Sequence, residues 1–97
     1  MCTYQTVNVD LSGSGRGHDG WFPLSLASVY FDHPVHAMEE HTLNIDFINP
    51  ELGPSKRVAV ELNAASAVAL AEAIVAALES VPAEITGPAL VARDREP

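Results

Sequence analysis

The chain has 97 residues, enough for one small domain that buries about 60–70% of its unfolded surface. Its apolar share of 47% is that of a globular protein, which excludes general disorder. Thirteen acids against five Lys and Arg give a formal net charge of −8, and the bases (Arg16, Lys56, Arg57, Arg93 and Arg95) form no patch able to displace phosphate counterions, so nucleic acid and anionic membranes are excluded as partners.

The N-terminal MCTYQTVNVD has neither a basic region nor an apolar run, so no signal peptide is read there and a cytoplasmic location is expected. From Thr3 to Leu11 the chain reads as a strand, with Val7, Val9 and Leu11 alternating against Thr6, Asn8 and Asp10. Ser12 to Gly20 reads as a flexible connector because of its glycines. It lacks the Lys-Ser/Thr ending of a phosphate loop, and a strand rather than a helix follows, so its alternative role is a flap carrying Arg16 and His18. Trp21 to Phe31 is aromatic and β-branched, a second strand with Pro23 near its start.

Asp32 to His41 breaks the pattern at Pro34 and reads as a loop. Thr42 to Ile48 alternates again, with Leu43, Ile45 and Phe47 on one face and Asn44 and Asp46 on the other. Asn49 to Ser55 has the chemistry of a turn, and Arg57 to Leu62 is a fourth strand with Val58, Val60 and Leu62 inward. Asn63 is placed to cap a helix from Ala64 to Ser80, stopped by Pro82, with Ala67, Leu70, Ala71, Ile74, Leu78 and Val81 in one stripe.

The expected fold is α+β: a four-stranded antiparallel sheet with one long C-terminal helix packed on one face, in the order β-β-β-β-α. Residues 1–82 make a single domain and 83–97 a mobile tail, whose Ala89 to Val91 has the character of a docking segment. The open face of the sheet is expected to carry Tyr4, Thr6, Asn8, Asn44, Asp46 and Glu61. Val29 and Phe31 of the second strand point to one face, and Leu24, Leu26 and Tyr30 to the other. The helix is apolar almost all round, which points to a homodimer or to a partner protein.

Three groups of residues carry candidate chemistry. His33, His36 and His41 fall within nine residues, beside Asp32, Glu39 and Glu40, and imidazoles with carboxylates suit zinc or another divalent transition metal. Cys2, the single cysteine, excludes an internal disulfide and is a candidate thiolate for the same metal; the alternatives are a small apolar residue beginning a strand and polar loop histidines. Asp46 and Glu61 share the open face, where paired carboxylates with split pKa values do acid–base work or are merely solvated. Trp21, Phe22, Tyr30 and Phe31 read as core or dimer contacts. No residue is assigned as catalytic.

The strings MCTYQT, YFDHPVHA and EHTLNIDF resemble those of a family of short bacterial proteins of unknown function, over the chain up to the end of the helix. The resemblance implies a stand-alone protein and brings no activity, cofactor or site residue. Three functions therefore stand side by side: a homodimeric metal-binding protein, a non-enzymatic interaction or assembly module, and a small-ligand pocket protein beside the glycine-rich flap.

Overall fold

A computed structural model of the chain describes residues 4–87. Four strands, β1 (Val7–Gly17), β2 (Gly20–Asp32), β3 (Thr42–Ile48) and β4 (Arg57–Leu62), are followed by the helix α1 (Ala64–Glu79) and a single helical turn, α2 (Ala83–Thr86). The strands form one antiparallel sheet in chain order, β1-β2-β3-β4, so the fold is α+β in the order β-β-β-β-α. The chain divides near Ala64 into a sheet unit and a helical unit.

Register explains why the alternating residues fall as they do. Val29 pairs with Ile45 and Ile45 with Val60; Phe31 pairs with Leu43 and Leu43 with Leu62. Directly opposed residues share a face, so these pairs make one apolar face, continued onto β1 by Val7 and Val9. The other face carries Ser28, Tyr30 and Asp32 of β2, Thr42, Asn44 and Asp46 of β3, and Arg57, Ala59 and Glu61 of β4. The mixed character of the second strand is real: its odd positions join the apolar face and its even positions the polar one.

The first two strands are longer than the sequence suggests. Ser12 to Gly17 is not a connector but the second half of β1, and only His18 and Asp19 form the turn. The ladder slips between Asp10 and Gly13, an irregularity that puts one extra β1 residue opposite β2. Beyond it the glycines have a packing role. A Cβ on Gly15 would stand 3.0 Å from Leu24 Cδ1, and one on Gly17 would stand 3.1 Å from Phe22 Cε1. Glycine at these alternate positions leaves room for the β2 side chains to lie across β1, and Phe22 becomes one of the two buried apolar residues among those described. At the hairpin no residue other than glycine has a positive φ, so the left-handed conformation that closes the turn falls to Gly20, at 115°.

Pro23 is tolerated in β2 for a related reason. The β2–β3 pairing stops at Leu26, so Pro23 lies beyond the end of β3. There the Asn49 side-chain amide donates to its carbonyl at 2.9 Å, and no ladder N–H is missed. The same Asn49 accepts from the Glu51 amide and caps a 3-10 turn at Pro50–Leu52, within the segment read as a turn. The sheet is strongly curled: edge strands β1 and β4 come near each other, and Lys56 at the foot of β4 meets Asp19 of the hairpin turn at 3.9 Å.

In the helical unit α1 begins at Ala64 and ends at Glu79, one residue before the expected stop, and none of its residues is buried. Of the segment read as tail, Ala83–Thr86 is helical, ending at Gly87 with φ 68°. Ala89 to Val91 lies outside the described residues.

Candidate functional site

Among the described residues the one that is fully buried is polar. Thr42 is 0% exposed and Asn44 6%, and both belong to the polar face of β3. The Thr42 hydroxyl donates to the Asn44 carboxamide oxygen at 2.6 Å, so each accounts for part of the other's hydrogen-bonding need. The loop from His33 to His41 returns across this end of the sheet and is tied down by one side chain. Glu61, opposite Asn44 on β4, accepts the backbone N–H groups of Val35 at 2.6 Å, His36 at 3.1 Å and Ala37 at 2.8 Å. Pro34 has no N–H to offer, and the three donors follow it in sequence. These donors, Ala37 first and Val35 next, hold the Glu61 carboxyl below the usual carboxylate range against the opposing effect of burial, and the charge of His36 acts in the same direction.

Asp46 organises the centre of the face. Its Oδ2 accepts the Tyr30 hydroxyl at 3.0 Å, a diagonal contact from β2. Its Oδ1 accepts Nε and Nη2 of Arg57 at 3.0 and 2.7 Å, a diagonal contact from β4. Burial, the hydrogen bond to Asp46 and the Asp46 charge together push the Tyr30 hydroxyl above its ordinary pKa, so it stays a neutral donor.

These residues line a partly open pocket of about 220 Å³, with Tyr30, Asp32, Asn44, Asp46, Arg57 and Glu61 in its wall and His33 and Val35 on the loop side. Two shallower depressions adjoin it. One, of about 490 Å³, runs from Asp46 and Arg57 to the Asn49–Pro54 turn; the other, of about 450 Å³, runs along Ala59 and Glu61 to His36 and Ala37. Arg57 lines all three, so its guanidinium stands at their junction.

The expected site residues are distributed differently. His33 and His41 are brought together, their ring centroids 4.5 Å apart. His33 Nδ1 lies 3.1 Å from the Glu40 carbonyl oxygen, and His41 stacks on Phe31, which Tyr4 meets edge-on. Tyr4 is thus set against a residue of the apolar face, not on the open polar one. His36 lies with Ala37 and Glu61 beside Ala59, and among the described residues no three His, Asp or Glu gather to hold an ion. Cys2 lies outside the described residues.

Asp46 and Glu61 do share a face, one on each of two paired strands, but each answers to its own donors and they form no carboxylate pair. Of the aromatic residues read as core, Phe22 is buried, whereas Trp21 is 71% exposed. The glycine-rich segment is a strand, so a pocket beneath a flap there is replaced by the pocket beneath the His33–His41 loop. The sequence marks Arg57 as one of the five bases and as the start of a strand. Its parity with Glu61 was available in the sequence, but its contact with Asp46 was not.

No helix among the described residues is long and apolar enough to cross a membrane. The chain belongs to a family of unknown function, DUF6295, whose model matches residues 1–87. No curated protein and no solved structure matches it.

Proposed function

We propose that the protein is a small-molecule binding protein whose site is the pocket between the polar sheet face and the loop pinned by Glu61. One observation carries this reading. Asn44, 6% exposed, lines that pocket, and its carboxamide nitrogen has no acceptor among the described residues and is open to solvent there, since no sealed side-chain nitrogen or oxygen among them lacks a partner. A donor that no protein group answers, open at the wall of a concave polar site, is available to a ligand. The surrounding groups are pre-oriented by each other, through the Tyr30–Asp46–Arg57 chain and the Glu61–loop contacts, so the ligand need not organise them.

A ligand-observed NMR screen of small polar fragments, followed by amide shift mapping on the protein, tests the reading. Hits are expected to perturb Asn44, Tyr30, Arg57 and the Val35–Ala37 amides, and to be lost in Asn44→Leu. Hits that map elsewhere, or a screen with none, contradict it.

A second reading rests on His33 and His41. A proton on His33 Nδ1, donated to the Glu40 carbonyl, leaves Nε2 with its lone pair, the arrangement in which imidazole serves zinc or another divalent transition metal. Two imidazoles are an incomplete shell, and Cys2 is the candidate third donor. Elemental analysis of protein purified without a His-tag decides it: metal retained by His36→Ala but lost from His33→Ala, His41→Ala and Cys2→Ser supports a His33–His41–Cys2 site. Absence of metal from the native protein after incubation with zinc, copper and nickel sinks it.

A further inference from the structure

We infer that the occupant of this pocket is an uncharged molecule presenting a carbonyl oxygen, as a primary amide, a urea or a lactam does. The inference rests on the pocket reading above and adds the chemistry of the ligand. It follows from which hydrogen-bonding groups are already committed. Asp46 gives one oxygen to Arg57 Nε and Nη2 and the other to the Tyr30 hydroxyl. Glu61 gives Oε1 to the His36 and Ala37 amides and Oε2 to those of Val35 and His36. Asp32 accepts the His33 amide through Oδ1 at 2.7 Å, at the rim of the cavity.

The carboxylates that line the pocket are thus engaged with donors of the protein itself. The groups left over are donors. Asn44 offers the N–H groups of its carboxamide, its oxygen being taken by Thr42. Arg57 offers Nη1, since its bonds to Asp46 use Nε and Nη2. Donors that solvent rather than the protein answers favour a ligand with acceptors, and a carbonyl oxygen has two lone pairs for them.

Charge then decides among acceptors. A carboxylate ligand would bring a further negative charge beside Asp32, Asp46 and Glu61, where Arg57 is the one Lys or Arg and already faces Asp46, in a chain of net charge −8. An ammonium ligand would suit the field but would leave the Asn44 donor unanswered. A neutral carbonyl satisfies both conditions. The cavity of about 220 Å³ holds about seven molecules of water at about 30 Å³ each, which sets the ligand at a similar number of non-hydrogen atoms.

Titration of the full chain with butyramide, butyrate and butylammonium, read by amide and Asn44 side-chain shifts, tests the inference with three probes of one shape. Butyramide is expected to bind at least tenfold more tightly than either ion. Asn44→Asp keeps the acceptor for Thr42 and replaces the donor, so it is expected to weaken butyramide at least tenfold and to favour butylammonium. Arg57→Gln, which leaves the buried Thr42–Asn44 pair untouched, serves if the first variant melts too low, and is also expected to weaken butyramide.

Tighter binding of butyrate or butylammonium in this pocket overturns the carbonyl assignment while leaving the pocket standing. Butyramide shifts outside the pocket, or affinity indifferent to both substitutions, overturn both. No shift with any of the three overturns the carbonyl assignment, and the fragment screen then judges the pocket by itself.

Discussion

On the face carrying Val29, Ile45 and Val60 the strands meet through apolar cross-strand pairs, each half-buried and each replaceable by another aliphatic chain of similar volume. On the face carrying Tyr30, Asn44 and Glu61 the contacts are hydrogen bonds of fixed geometry, and among the described residues burial is deepest here, at Thr42. The ordinary arrangement, with the deepest burial on the apolar side, is inverted at this end of the sheet. Burying polar groups is costly unless they are paired, so the buried Thr42–Asn44 pair carries a constraint the apolar face does not. The difference supports the proposed reading, in which the apolar face specifies a sheet and the polar face a site.

Substitutions can break this comparison in order of effect. Phe22→Ala is expected to have the largest, about 3–5 kcal/mol by thermal or urea unfolding, because Phe22 is the one large buried apolar side chain on the polar-face side. A cost under about 1 kcal/mol would mean that the glycine-backed end of β1 and β2 is not a packed element. Next is Asn44→Leu, which strands the buried Thr42 hydroxyl and is expected to cost about 1–3 kcal/mol. The pair Thr42→Val with Asn44→Leu removes both partners and should recover most of that loss while abolishing ligand binding. Failure of the double variant to recover would show that the pair is held by more than its mutual hydrogen bond. Gly20→Ala sharpens the hairpin's role: a φ of 115° strains any side chain, and a loss of about 1–2 kcal/mol is expected, with the polar pocket intact.

Much of the fold was legible because β3 and β4 alternate cleanly. Leu43, Ile45 and Phe47, then Val58, Val60 and Leu62, each fix a period of two, and both strands fall where that period places them. Ser12 to Gly17 was not legible, since three alternate glycines look like a linker unless one knows that Phe22 and Leu24 lie across two of them. That knowledge requires register, which a single strand does not carry.

The candidate site divides in the same way. Asn44, Asp46 and Glu61 could be placed on one face by parity alone. The joining of Glu61 to the Val35–Ala37 amides spans 24 to 26 residues and uses backbone donors, which have no sequence signature. The close spacing of the histidines suggested that they converge, but His33 and His41 flank the loop while His36 sits within it, and only the flanking pair meets.

The contact that defines the polar face is the one between the Glu61 carboxylate and the loop, and an acid titration tests it most directly. Because the folded carboxyl titrates below its unfolded value, its contribution is complete above the usual carboxylate range and is lost as pH falls through the lowered pKa. The measurement is the amide shifts of Val35, His36 and Ala37, followed with the Glu61 side-chain carboxyl carbon from neutral pH downward. The account predicts that all four move together, at one midpoint below the usual range for glutamate, and that Glu61→Gln shows the released loop already at neutral pH. Amides indifferent to the Glu61 titration, or a Glu61 midpoint at the usual value, would contradict it.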